Sequence, residues 1–462
     1  MSSLATPDVL ATALRGTLTA PGDPDYDERR ALYNAMIDRR PALIARCTDA
    51  ADVIAAVGHA RREGLALAVR GGGHNGAGLG SVDDGLVIDL SGMRGVLVDP
   101  GSRVARVLGG SLLGDVDHAT HAFGLATPSG IISTTGVGGI TLGGGLGHLT
   151  RGYGLAIDNL IAADVVLADG RLVRASEDEN PDLFWALRGG GGNFGVVASF
   201  SFALHPVSDV LAGPTVWPLE DAPVVMRAYD RFIASAPDEV GAFFLFLEVP
   251  PAPPFPEELH GRKMCGIVWC VSDPDATDVF DEMLAAAPPP ALHAVGRMPY
   301  PTLQSFFDGL YPPGHQWYWR ADFVSELSDA AIAAHVEHAQ RLPTMQSSMH
   351  LYPLNGAAAR VGPDETAWAY RDARYGQVII GVDPDPAKAD EIRDWTVAYH
   401  EALHPHSMGG AYVNMMMDEG QERVRASYRG HYDRLAAIKA VYDPDNLFRV
   451  NQNIRPATAP AG

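Results

Sequence analysis

Val69-Arg70-Gly71-Gly72-Gly73-His74-Asn75-Gly76-Ala77-Gly78 is the stretch from which the rest of the chain is read. The apolar run Leu65 to Val69 before it predicts a short buried strand, which ends where the backbone is almost bare. Glycine takes φ > 0 without a Cβ clash, so consecutive N–H groups can converge on an anion such as a pyrophosphate. One imidazole, His74, stands in the middle. Taken alone, the tract fits a glycine-rich turn with an exposed histidine equally well.

Two more glycine clusters shift the balance, Gly136-Val-Gly-Gly-Ile-Thr-Leu-Gly-Gly-Gly-Leu-Gly-His148 and Arg188-Gly-Gly-Gly-Gly-Asn-Phe-Gly-Val-Val197. With them come Asp158-Asn-Leu160, Asp169-Gly170, Asn180-Pro-Asp-Leu-Phe-Trp-Ala-Leu-Arg188 and Asp443-Pro-Asp-Asn-Leu-Phe-Arg-Val-Asn-Gln-Asn-Ile454. In these motifs the chain resembles the berberine-bridge-enzyme group of FAD-linked oxidases, within the vanillyl-alcohol-oxidase superfamily. The resemblance is specific at both ends and loose over 206–405. It implies an α+β chain with a PCMH-type FAD-binding fold. The FAD domain would be discontinuous, 1–205 completed by 406–462. Residues 206–405 would form a substrate domain with an antiparallel sheet covered by helices.

Bulk properties agree. The chain has 462 residues and 47% hydrophobic content, enough for large cores and two domains. A formal charge of −21 argues against nucleic acid or an anionic membrane as partner. No run reaches the ~18 apolar residues of a membrane span, and Met1 to Ala20 lacks the pattern of a signal peptide. Cys47, Cys265 and Cys270 give no disulfide framework, which points to the cytoplasm. A monomer or homodimer is expected.

Along the chain, Thr48-Asp49 caps a helix through Ala60, and Pro7 to Thr17 reads as another. Val82 to Leu90 carries a hairpin signal at Asp83-Asp84-Gly85. Gly190, Gly192 and Gly195 formally satisfy GxGxxG, yet a helix precedes them and a strand follows, the reverse of a dinucleotide fingerprint. Beyond Pro206, strands are expected at 241–249, 264–271, 316–323, 347–351, 367–371, 377–381 and 411–414. Helices are expected at 222–236, 276–287, 329–341, 386–403 and 423–441. His118 and His121 sit at i, i+3 without a third ligand, so no metal site is expected.

The resemblance also assigns roles. FAD would lie over Arg70, Gly71, Gly72, Gly73, His74 and Asn75, with His74 as the covalent anchor on the flavin 8α carbon. The cysteine of doubly attached relatives falls on Ile132, so a single attachment is implied. Ser133, Thr134, Thr135, Gly136, Gly138, Gly139, Gly143, Gly144 and His148 would meet the isoalloxazine and ribityl chain. Gly195 and Val197 would meet the adenine, and Asn451 and Gln452 the ring. Thr135 matches the position that governs oxygen access.

Where relatives carry a tyrosine base near the C-terminus, this chain has Met415, in Tyr412-Val-Asn-Met-Met-Met417. Tyr412, Tyr318 and Tyr352 are the candidate bases, with His350 and Arg360 behind them and Tyr153 as a wall of the site. Met415 to Met417 would make an apolar floor. The expected substrate is a small apolar or aromatic alcohol, amine or enolisable compound of secondary-metabolite type, with O2 reduced to H2O2. Two alternatives remain: a dehydrogenase using another acceptor, and a non-catalytic flavin binder.

Overall fold

The computed structural model describes residues 7–458. Helix Ala50–Glu63 starts where the Asp49 carboxylate accepts from the Ala51 and Asp52 amides, and ends at Gly64 with φ 66°. It delivers strand Leu67–Arg70, which stops at the first glycine tract. That strand edges a four-stranded sheet ordered Thr17–Thr19, Leu43–Arg46, Leu86–Asp89, Leu67–Arg70.

Leu86–Asp89 does not form the expected hairpin. It pairs in parallel with Leu43–Arg46 and with Leu67–Arg70. All four of its residues are buried, the mark of a central strand covered on both faces. The loop from 71 to 85 is therefore a long connection running over the strand ends.

A second sheet, antiparallel throughout, runs Val96–Asp99, Val104–Leu108, Val196–Ala203, Leu160–Val166, Leu172–Ser176. Helix Pro181–Leu187 precedes the third glycine tract, and the tract feeds the Val196 strand. The GxGxxG spacing thus sits between helix and strand, as read.

The third sheet holds eight antiparallel strands. Its main path is Leu292–His293, Asp209–Pro218, Lys263–Val271, Val240–Glu248, Ser348–Pro353, Tyr375–Asp383, Gln316–Val324. Side chains alternate across it with period two. Phe244, Trp269, Met349, Ile379 and Tyr375 share one core with helices Ala222–Ser235, Asp329–Ala339 and Ala389–Leu403. Phe243, Val268, Tyr352, Val378, Trp317 and Trp319 share the other core with residues of the first 205. One face is helix-covered, and the other roofs the glycine tracts.

Several elements differ from expectation. Asp209–Pro218 is a strand despite Pro214, whose carbonyl accepts from Ala294. Its missing N–H faces that same side, at the break between the short edge strands Leu292–His293 and Gly296–Pro299. Residues 367–371 form no strand, and Val413–Met415 is a 3₁₀ turn. The expected helix 423–441 is two helices, Gly420–Tyr428 and His431–Tyr442, broken where Arg429 takes φ 46°. Helix 276–287 shrinks to Asp281–Ala286, and the first helix to Pro7–Ala13.

The tail returns to the third glycine tract. Buried Lys439 donates to the carbonyls of Asn193 (2.7 Å) and Phe448 (2.8 Å), and Asn451 donates to Gly192 O at 3.1 Å. Among the described residues no helix is long and apolar enough to cross a membrane, and all three cysteines are free and buried.

Candidate active site

The glycine tracts converge because they lack side chains. The first two cross at Gly72 and Gly136, and Gly76 lies under the Trp319 ring, where a Cβ would come within 2.4 Å of it. Gly143 packs just as closely on Asn414, which binds the tail segment to the second tract. Between these tracts, the tail and the roofing sheet lies a cavity of about 280 Å³.

Among the described residues, no protein acceptor takes the N–H groups of Gly71 to Asn75. A row of unpartnered backbone donors on a cavity wall is an anion cradle, since such donors are rarely left without an acceptor. Arg70 adds little free charge: its guanidinium is bound 2.8 Å from the buried Asp89 carboxylate. Among the described residues, no carboxylate or lysine side chain lines the cavity.

His74 forms part of this wall. Its ring stacks on Tyr33 with centroids 3.8 Å apart and planes 18° from parallel. Thr134 Oγ1 lies 3.2 Å from Nε2, and Thr135 Oγ1 lies 3.4 Å from Nδ1. The ring is half-buried in the cavity wall, and desolvation there pushes its pKa down to about 4. At neutral pH the imidazole is uncharged, with one nitrogen lone pair available. Tyr33 is pinned in turn, its hydroxyl donating to Tyr311 O at 2.6 Å.

Arg70, Gly71, Gly72, Gly73, His74, Asn75, Thr135, Gly136, Gly139, Tyr352, Tyr412, Asn451 and Gln452 all line the cavity. Tyr352 projects from the roofing sheet, 5% exposed, with its hydroxyl 2.7 Å from His350 Nδ1. Burial pushes the phenol pKa up and the imidazole down to about 3, so the pair is neutral and Tyr352 donates. Tyr412 is already engaged: its oxygen accepts from the Gly145 amide at 3.0 Å and from Asn414 Nδ2 at 2.8 Å. Met415 lines the cavity, while Met416 and Met417 are buried behind it.

Other expected positions lie elsewhere. Tyr318 does not line the cavity: on its strand Trp317 and Trp319 have the parity that does, while Tyr318 packs half-buried at the margin of the same core and its hydroxyl accepts from Arg320. His148 is buried against Phe243, and desolvation drives its pKa down to about 3. Ser133 is bound to Asp308, and Thr134 reaches the site only through His74. Gly138 backs onto Gly109 and Phe200, Gly144 onto Trp368, and Gly195 onto Val165, while Val197 is a core residue of its strand. Arg360 pairs with Asp238, and Tyr153 stacks on His205. Sequence reading missed Tyr33, Trp317, Trp319, Asn193 and Tyr428 as lining residues. For the tryptophans, the alternation along 316–324 was the available signal.

An anion cradle opening into an aromatic-lined cavity, under a sheet that leaves room for a flat ring system, fits FAD and defines an FAD-linked oxidoreductase. Comparison with known proteins agrees. A family model described as "FAD binding domain" matches residues 41–176, and one described as "Berberine and berberine like" matches 411–455. An uncharacterised FAD-linked oxidoreductase of Bacillus subtilis (strain 168) is 32% identical over 96% of this chain and 98% of its own length. The (R)-6-hydroxynicotine oxidase of Paenarthrobacter nicotinovorans is 32% identical over 98% and 99%. The solved xylooligosaccharide oxidase from Myceliophthora thermophila C1, in complex with xylobiose, superposes with TM-score 0.84 at 26% identity, covering 98% of this chain and 99% of that one. The chain belongs to the berberine-bridge-like family of FAD-linked oxidoreductases.

Proposed function

We propose that this chain is an oxidase that holds FAD through a single covalent bond from His74 and passes two electrons from a small organic substrate to O2. The observation that carries this reading is the His74 imidazole: neutral, stacked on Tyr33 and set beside a cradle of free N–H groups in the cavity wall. Ile132 also lines the cavity and cannot supply a second attachment. The bound cofactor supplies a two-electron acceptor for a hydride from the substrate.

The substrate loses two electrons and two protons, and O2 leaves as H2O2. Tyr352 is the candidate acid–base group for the substrate proton, because it lines the cavity and its hydroxyl is held 2.7 Å from His350 Nδ1. Tyr412 serves better as a fixed hydrogen-bonding wall, with Asn414 and Gly145 holding its oxygen. The catalytic duty of the C-terminal tyrosine would thus pass to the roofing sheet.

Trp317, Trp319, Met415, Val378 and Ile132 make the rest of the wall apolar. With no acidic or lysine side chain there among the described residues, the substrate class is an uncharged apolar or aromatic alcohol, amine or enolisable compound. The test is anaerobic mixing with a panel spanning benzylic alcohols, 6-hydroxynicotine and xylobiose. Bleaching of the oxidised flavin band by the aromatic members, with stoichiometric H2O2 once air is admitted, is the expected result. Reduction by xylobiose alone would overturn the substrate class, and reduction without H2O2 would overturn the oxidase assignment.

A further inference from the structure

On the helix-covered face of the large sheet, away from the cavity, Asp322 is completely buried. Helix Ala389–Leu403 and the turn His404–His406 set two imidazoles over it, four residues apart on one helical face. His400 Nε2 lies 3.1 Å from Asp322 Oδ2, and His404 Nδ1 lies 3.1 Å from Oδ1 and 3.2 Å from Oδ2. One ligand atom from each residue can be chosen so that all lie within 4.8 Å of one another.

We infer that Asp322, His400 and His404 form a binding site for a divalent transition-metal ion of the Zn²⁺ or Co²⁺ type, structural rather than catalytic. Two imidazoles and one carboxylate are ligands these ions favour. An ion with bonds of about 2.0–2.1 Å in tetrahedral geometry holds its ligand atoms roughly 3.3 Å apart. The nitrogen-to-oxygen distances here already approach that value.

A simpler arrangement would be two histidines hydrogen-bonded to a buried carboxylate. His400 argues against it. Its Nε2 is buried and makes no hydrogen bond, although a carboxylate oxygen is 3.1 Å away. The approach is close but not aligned for a proton, as it would be if both atoms faced a common centre.

The surroundings complete the site. Arg423 donates to Asp322 Oδ1 at 2.7 Å and is itself anchored on the carbonyls of Ala321 (2.6 Å) and Gly409 (2.7 Å). Ligating carboxylates commonly carry such a second hydrogen bond, which fixes their orientation. Glu419, 3.5 Å from Arg423 Nε, offsets its charge. His404 is 44% exposed, which gives an ion its entry path, and Ser407 Oγ, 3.3 Å from His404 Nδ1, stands near the remaining coordination position. A bound ion would staple helix Ala389–Leu403 to the strand that carries Trp317 and Trp319 into the cavity.

The experiment is a titration of chelator-treated, flavin-loaded protein with Co²⁺, then Zn²⁺. The expected result is one equivalent of Co²⁺ with visible d–d absorption, displaced by Zn²⁺, and a higher melting temperature. His404→Gln, at a half-exposed position, should weaken binding by more than about tenfold, as should His400→Gln. The flavin spectrum of both variants reports that they are folded. No stoichiometric Co²⁺ binding, or binding that His404→Gln leaves unchanged, would overturn the assignment.

Discussion

Gly72 and Gly136 meet backbone to backbone, so closely that a Cβ on Gly72 would lie 2.4 Å from the Gly136 nitrogen and one on Gly136 2.2 Å from the Gly72 nitrogen. Gly136 has φ −71°, which any residue can adopt, so contact and not backbone strain excludes a side chain there. Gly136→Ala is expected to cost about 3 kcal/mol or more by overpacking and to push the first tract out of register. Denaturant unfolding and flavin content measured together check this. A variant of normal stability with a full complement of flavin would show that the crossing is looser than described.

Thr135 stands beside His74, its hydroxyl 3.4 Å from Nδ1. Replacement by leucine fills that corner of the cavity with aliphatic bulk. Reoxidation of reduced enzyme by O2, followed by stopped flow, should slow by more than about tenfold, equivalent to about 1.4 kcal/mol in the barrier. An unaltered rate of reoxidation would remove Thr135 from the oxygen path.

Tyr352→Phe keeps the ring against Phe243 and removes only the hydroxyl that faces His350. Substrate-driven flavin reduction should fall by about 10²- to 10⁴-fold, the usual worth of a positioned acid–base group, while flavin content stays full. If the same loss follows Tyr412→Phe and not Tyr352→Phe, the proton leaves by the tail and not by the sheet.

Burial gives His148 and Asp117 opposite effects on acid stability. His148 has its pKa lowered to about 3, so between there and its ordinary value of 6.5 the unfolded chain binds the extra proton, and folding stability from this group is lost as pH falls. Asp117 has its carboxyl raised to about 7, so from 3.8 upward the folded chain holds the extra proton, and stability is lost as pH rises. Each contributes up to about 1.4 kcal/mol per pH unit. Across pH 4.5 to 6.5, roughly the shared window, the slope of urea-unfolding stability against pH should therefore become more negative in His148→Leu and more positive in Asp117→Asn. Matching slopes in both variants would contradict the assignment.

Much of this was legible because glycine and capping signals are local. The Asp49 cap, the strand before Gly71 and the helix-to-strand setting of the third tract all follow from neighbours in sequence. What failed depends on distant partners. Leu86–Asp89 looks like a hairpin arm until two parallel neighbours claim it. Tyr318 and Tyr352 both read as strand tyrosines, but a single step of pleat decides which one meets the cavity. Asp322 and His404 come together only through a sheet and a helix far apart in the chain, so no spacing rule could have joined them.

The covalent bond from His74 is the claim on which the rest depends. Acid precipitation of the purified protein, followed by flavin absorbance of the washed pellet, measures it directly, with His74→Ala alongside. Flavin retained by the wild-type pellet and lost from the variant is the expected result. Flavin released into the supernatant from both would contradict the attachment and leave His74 as a neighbour of the cofactor.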